Sequence, residues 1–394
     1  MSAPIWFDST ETGAPTLNNA AGSLIALLRA VLINGFNVKA ISSISVASGV
    51  ATVTCPAHAF SSAYGKWLKI TGASAPALDG VKQQTIVDAN TFTYPAPGVA
   101  DGSYTATDAR RAPLGWTEPY TGTNKAIFQR SAPEAGTQLI RLLDTAAAPA
   151  LTTDLRVLML ESATDIDTFT NSMPTAAQIT DGFGGYICKG ANSASAKPWA
   201  LVGCDRGFYF IGPNNAATPG EADRLPYFFG DGVPFFPGDS HFCLLSVNSA
   251  SGGASSTSKV GVGAALGTNW TTAVPQSSVV ARSRGGASLS EIFDCQGPSP
   301  ARYGAVTAMP SGMPEKLYLM QGAHVVSNAV NKEVRGLLPG LAAPIANLPF
   351  SGLGAVSVIG EAEGDGRHYL AVNAKAGGSV TGNFVIDLTG PWYA

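Results

Sequence analysis

The chain has 394 residues, only 13% of them charged against 45% hydrophobic, and a formal net charge of -3. Apart from the pair Arg110-Arg111, Lys and Arg are scattered singly, so no basic stripe exists to neutralise phosphates, and nucleic-acid binding is not expected as the main task. The length predicts two or three folded units with ample core, and about half the usual share of charge predicts a surface covered by copies of the chain or by partners.

Residues 1 to 19 are polar and turn-rich, with Trp6 and Phe7 as their only aromatic groups, and read as a docking arm. The opening MSAPIWFDSTETG has neither a basic n-region nor a cleavage site, so synthesis and assembly in a cytoplasm, or exit by a route the sequence does not encode, are expected. From Ala20 to Ile33, Leu24, Leu27, Leu28, Val31 and Leu32 recur at helical spacing. Asn18 or Asn19 is placed to cap that helix and Asn34-Gly35 to stop it. Its broad apolar face predicts a helix wedged between β layers or subunits. The run from Leu24 to Ile33 contains Arg29 and is far short of the roughly 20 apolar residues of a membrane span.

Residues 41–108 read as a small antiparallel β module. Strands are expected at Ile44 to Val46, Val50 to Cys55, Trp67 to Thr71, Lys82 to Val87, Thr91 to Tyr94 and Ser103 to Thr107. Turn formers such as Ser48-Gly49, Asp79-Gly80 and Pro97-Gly98 separate them.

Residues 109–394 form the main body, divisible into two subdomains. Its early strands are expected at Ala126 to Arg130, Gln138 to Leu143 and Leu155 to Leu160, followed by a short helix from Thr164 to Ser172 and Pro174 to Ile179. The centre is the stretch from Cys204 to Leu244, where Phe208-Tyr209-Phe210, Tyr227-Phe228-Phe229 and Phe235-Phe236 stand between Gly, Pro, Asn and Asp. Aromatic bursts that short fit strands buried on both faces. Asn248 to Lys259 is low in complexity and reads as a loop. Further strands are expected near Ser278 to Arg282, Lys316 to Gln321, Gly354 to Ile359, Arg367 to Asn373 and Asn383 to Leu388, and the closing Pro391-Trp392-Tyr393 as a tail packed on the body or a neighbour. The fold class is therefore mainly β: a β-sandwich body, the inserted antiparallel module and one N-terminal helix.

Few residues point to chemistry. Cys55, Cys188, Cys204, Cys243 and Cys295 are widely spaced, with no zinc-ligand pattern, and read as buried free thiols. Glu361, Glu363 and Asp365 form the densest acidic cluster; hard oxygen ligands suit calcium, but the Asp365-Gly366 sequence reads first as an exposed hairpin turn. No GxSxG elbow exists, and His58, His241, His324 and His368 are isolated. His58 reads as a structural hydrogen-bonding side chain. Asp205, Asp223, Asp231 and Asp239 surround the aromatics, but their separations, which would decide a glycoside-hydrolysing pair, are not readable in sequence. The chain is read as a non-enzyme, with no catalytic residue, metal or cofactor assigned. Candidate contact residues are the aromatics Trp6, Phe7, Tyr227, Phe228, Phe235, Phe236, Trp392 and Tyr393, whose planes would stack on sugar rings or fill partner pockets if exposed. Consecutive aromatics on a strand point to both sides, so part of each burst must be core.

Within the module, Gly49 to Thr54, His58, Ile70 to Ala73, Leu78 to Gly80 and Asn90 to Tyr94 follow one another in an order that resembles a small β module of tailed-bacteriophage structural and tail proteins. The segments Thr12 to Asn37, Gly115 to Gln129 and Val334 to Leu341 resemble recurring parts of phage virion structural proteins. The resemblance implies residence in a virion and symmetric assembly in the tail, tail tip or baseplate, as a homo-oligomer holding other virion proteins. A receptor-binding adhesin on host surface glycan and a capsid or collar decoration protein are the alternatives. It transfers no functional residue.

Overall fold

A computed structural model describes residues 3–145, 154–173, 185–190, 193–213, 224–239, 241–247, 278–282, 290–296, 320–327, 334–344, 356–359, 366–376 and 379–393. The chain is mainly β, with antiparallel sheets and one helix among the described residues.

The body is organised around a layer of antiparallel strands: Ile5–Asp8, Ala200–Cys204, Gly207–Pro213, Arg224–Asp231 and Cys243–Val247, paired in that order. Successive side chains of a strand point to opposite faces, and here each face meets a different core. Phe7, Leu201, Phe208, Phe210, Tyr227, Phe229 and Leu245 join one core with the helix and a five-stranded sheet. That sheet consists of Thr117–Gly122, Lys125–Gln129, Leu139–Leu143, Asp154–Leu160 and Gly185–Cys188. Trp6, Val202, Tyr209, Ile211, Phe228 and Leu244 join the second core, with Leu338, Leu370, Val372, Phe384 and Ile386. These come from strands Val334–Pro344, Tyr369–Ala376 and Ser379–Asp387, part of the same 13-stranded sheet as the layer they cover. Its two ends thus enclose one core, and every residue of Gly207–Pro213 is buried.

The helix spans Ser23–Arg29 and continues as a π-helical turn over Ala30–Asn34. Leu24, Leu27, Leu28, Val31 and Leu32 are all buried, as their spacing predicts. Its start differs from expectation. Asn18 accepts the Ala20 N–H at 2.9 Å in a local turn, and the residue preceding the helix is Gly22, at φ +79° and without a side-chain cap. The cap comes from Asp144, which accepts the Leu24 N–H at 3.2 Å while its carbonyl accepts the Gly22 N–H at 2.9 Å. A Cβ on Gly22 would lie 2.5 Å from Asn124 Oδ1, so this tight entry requires glycine.

The module is a two-sheet sandwich. One sheet orders Lys39–Ala40, Asp108–Arg111, Leu68–Thr71 and Gly80–Lys82; the other orders Thr85–Ile86, Thr91–Pro95, Val50–Thr54, Ser43–Ala47 and Gly102–Tyr104. Ile44, Val46, Ala51, Val53, Leu68, Ile70, Phe92 and Tyr94 fill the space between. Ser48 and Gly49, at φ 51° and 76°, make the two-residue hairpin that their types predict. His58 is buried; its Nδ1 accepts the Phe60 N–H at 3.0 Å, which leaves Nε2 to donate to the Asp88 carbonyl at 3.0 Å.

Two expected elements differ. The single strand from Lys82 to Val87 is two short strands that enter different sheets. The stretch from Thr164 to Ser172 is not helical: Ser162–Ala163 pairs with Phe169–Thr170, and the acidic residues between them form the turn. The predicted helical residues Pro174 to Ile179 and the loop from Asn248 to Lys259 lie outside the described residues.

Candidate functional site

Of the eight aromatics named as contact residues, six lie in the interior. Trp6, Phe7, Tyr227, Phe228, Trp392 and Tyr393 are each at most 7% exposed. The polar handles of the indoles and phenols are used internally. Trp6 Nε1 donates to the Tyr64 carbonyl at 2.7 Å, Trp392 Nε1 to Asp387 O at 2.7 Å, and Tyr393 Oη to Asp231 O at 2.9 Å. The Tyr227 hydroxyl accepts the Cys188 N–H at 3.4 Å. The C-terminal tail therefore packs back on the body, with Trp392 edge-on to Tyr209 at 5.6 Å. These six hold layers together, which corrects their reading as contact residues. Phe235 and Phe236 differ, at 52% and 58% exposed.

That pair sits on a tip whose flanking residues line the larger of two cavities described. Asp231 ends the strand Arg224–Asp231, and Val233–Pro234 then pairs with Leu337 and Gly336. Beyond the tip the Asp239 N–H donates to the Phe236 carbonyl at 3.2 Å, closing the turn. Between this segment and the 134–138 loop lies a cleft of about 560 Å³, lined among others by Glu134, Gln138, Glu161, Arg206, Asp231 and His241. Its walls are fixed by buried ion pairs. Asp231 receives Arg130, whose side chain is fully buried, and Arg206 Nε at 3.1 Å. Arg130 Nη2 also donates to Gly136 O at 2.6 Å and Gln138 Oε1 at 3.0 Å, tying the loop to the strand. Arg335 grips Asp239 with Nε at 2.7 Å and Nη2 at 3.0 Å.

Asp231 and Asp239, two of the four carboxylates considered for sugar hydrolysis, thus share one cleft, while Asp223 lies outside the described residues. Each is committed to guanidinium donors, which suits an acceptor or a strut. The neighbouring thiols are quiet. Burial pushes both Cys204 and Cys243 up to about 12, so neither supplies a thiolate at neutral pH. Cys55, Cys188, Cys204 and Cys243 are free and buried, as expected from their spacing. The Cys295 side chain lies outside the described residues.

A second polar assembly joins arm, module and body, and sequence reasoning missed it. Lys66 of the module pairs with Asp8 and with Glu11 of the arm, the latter at 3.0 Å, and lies 3.8 Å from the centre of the Trp6 ring. Arg111 donates to Glu11 at 2.6 Å, to Trp6 O at 2.7 Å and to Trp67 O. Alongside, the Tyr64 ring stacks on His368 at 3.8 Å. Burial alone would raise the Asp8 carboxyl, but Lys66 and the Thr10 donors outweigh it and hold it below the usual carboxylate range. In sequence these charges are isolated, and Arg110-Arg111 marks only a boundary; no signal announces their meeting.

Among the described residues no group of three or more His, Cys, Asp or Glu is placed to hold a metal ion. Glu361, Glu363 and Asp365 lie outside the described residues. No helix described is long and apolar enough to cross a membrane. No family model matches the chain, and a search of curated proteins finds no match.

Proposed function

We propose that this chain is a structural, non-enzymatic component of a tailed-phage particle, assembling symmetrically with copies of itself in the tail, tail tip or baseplate and holding other virion proteins. The observation that carries the reading is the clamped module. The segment whose sequence resembles phage tail modules folds around its own core, yet its Lys66 and Arg111 tie it to Asp8 and Glu11 of the N-terminal arm through largely buried ion pairs. A module held this way keeps a fixed orientation, as a part of a symmetric assembly must, whereas a module on a flexible linker would not. The low charge supports the same reading, since it suits a surface shared between subunits.

The test is sedimentation velocity on the purified full chain, over a range of concentrations. A closed oligomer of defined copy number is expected. A chain that stays monomeric at high concentration and binds no other tail protein contradicts the proposal.

A further inference from the structure

We propose that Lys66, Asp8 and Glu11 form a self-acylating site, in which the Lys66 amine condenses with the Asp8 carboxyl to an isopeptide bond that staples the arm to the module, with Glu11 as proton shuttle. The inference does not depend on the particle assignment. Its support is that the three groups meet as nucleophile, electrophile and proton carrier. Lys66 Nζ touches Asp8 Oδ2 and lies 3.0 Å from Glu11 Oε1. The Trp6 ring closes a third side of the amine, 3.8 Å away. The Lys66 and Glu11 side chains are 5% and 7% exposed and that of Asp8 15%, so bulk water is largely kept from the amine. The other Asp8 oxygen, Oδ1, receives the Thr10 N–H at 2.7 Å and the Thr10 hydroxyl. These two donors sit where an oxyanion develops when the carboxyl carbon is attacked. Arg111 holds Glu11 by Oε2, at 2.6 Å, which leaves Oε1 facing the lysine. The backbone fixes both reactants. Asp8 ends a strand paired with Ala200–Cys204, and the Trp6 N–H donates to Gly65 O at 3.1 Å, beside Lys66. Gly65, at φ +77°, permits that approach, because a Cβ there would lie 2.8 Å from Trp6 Cδ1.

The step balances without a co-reactant. Lys66 gives one ammonium proton to Asp8 Oδ2, leaving a neutral amine beside a neutral acid. The amine lone pair attacks Asp8 Cγ, and the carbonyl electron pair moves onto Oδ1, under the Thr10 donors. Glu11 Oε1 takes a second proton from the nitrogen and passes it to Oδ2, which leaves as water while Oδ1 re-forms the carbonyl. One C–N bond is made, one C–O bond is broken, and Glu11 ends as it began. A hollow of about 220 Å³, lined by Thr10, Glu11 and Lys66 among others, lies beside the three groups and receives the water. Free amines and carboxylates barely condense in water, but groups held in register react at effective molarities of up to roughly 10⁵–10⁸ M. Asp8 and Lys66 are 58 residues apart, so the site exists only after folding. The freshly folded chain therefore carries the ion pairs described above, with Asp8 still a titratable carboxyl, and the bond follows.

The experiment is intact-mass measurement on the purified full chain, freshly prepared and after several days at neutral pH, followed by tryptic mapping. The expected product is lighter than the parent by one water. It yields a branched peptide joining residues 1–29 to residues 40–69, because trypsin does not cut after an acylated Lys66. Asp8→Asn keeps the reacting carbonyl and changes the leaving group. It is expected to give the same branched peptide with loss of ammonia in place of water, a readout that a merely structural pairing does not produce. Glu11→Gln is expected to form the bond about a hundredfold more slowly or worse, and Lys66→Arg, which keeps the charge, is expected to stay at its full mass. Four results would each overturn the inference: a parent chain that keeps its full mass, a water loss without that branched peptide, an Asp8→Asn chain that forms no ammonia-releasing link, or a Glu11→Gln chain that links as fast as the parent.

Discussion

Phe208 and Tyr209 are neighbours in sequence and lie in different cores: Phe208 faces the helix and the five-stranded sheet, Tyr209 the C-terminal strands. One strand therefore fixes two layers. Truncating either ring opens a cavity in a different place, and truncation of a buried Phe costs about 3–5 kcal/mol. Phe208→Ala is expected to lower the urea midpoint strongly. Tyr209→Phe, which keeps the ring but leaves the Pro339 carbonyl without its 2.9 Å donor, is expected to cost about 1–3 kcal/mol. Phe236→Ala, on the exposed tip, is expected to stay within about 0.5 kcal/mol of the parent. Equal losses at all three positions would contradict the layer assignment.

Asp144 and Lys189 form an ion pair with both side chains fully buried, and Lys189 also donates to Ala20 O at 3.1 Å. Removing one partner strands the other charge, at about 3–5 kcal/mol. Lys189→Met and Asp144→Leu are each expected to destabilise by that order. The double variant is expected to lose much less than their sum, because no lone charge remains. A thermal-melting double-mutant cycle measures this, and simple additivity would refute the coupling.

The seam is expected to weaken in acid. The folded-state carboxyl of Asp8 sits below its ordinary value, so its contribution is fully present above the unfolded value of about 3.9 and is lost as pH falls through the lower folded value. Urea midpoints taken downward from pH 5 should fall below about pH 4, and Asp8→Asn should flatten part of that fall. An unchanged slope in Asp8→Asn would show that Asp8 does not couple to folding.

Cys204 and Cys243, pushed up to about 12 by burial, are expected to resist alkylation at pH 8 in the folded chain and to react fully in denaturant. Peptide mass mapping after iodoacetamide treatment reads each thiol separately. Rapid native labelling of Cys243 would contradict its burial.

Much of the fold was legible because it rests on short-range periodicity. The spacing of Leu24, Leu27, Leu28, Val31 and Leu32 located the helix, Ser48-Gly49 located a hairpin, and the aromatic triplets located strands buried on both sides. Long-range pairings were not legible. The helix cap lies 120 residues from the N–H that it accepts, and Lys66 meets Asp8 at a separation of 58 residues. No local pattern encodes such meetings, so the asparagines nearest the helix were the natural but mistaken choice of cap. The candidate contact set mixed two environments for the same reason. Trp6, Tyr227 and Trp392 have the composition of an exposed binding face, and only the register of their strands and the fold of the tail put them inside. Phe235 and Phe236 differ because Pro234 ends the strand pairing before them and Pro237-Gly238 turns the chain after them.

The most direct test of the proposed virion role is immunogold electron microscopy, with serum raised against the purified protein, on the tailed-phage particles that the proposal takes to carry this chain. Label confined to the tail, tail tip or baseplate is the expected result. Label over the capsid or neck would instead make the chain a decoration or collar protein, and intact or disrupted particles that carry no label would contradict a structural role in the virion.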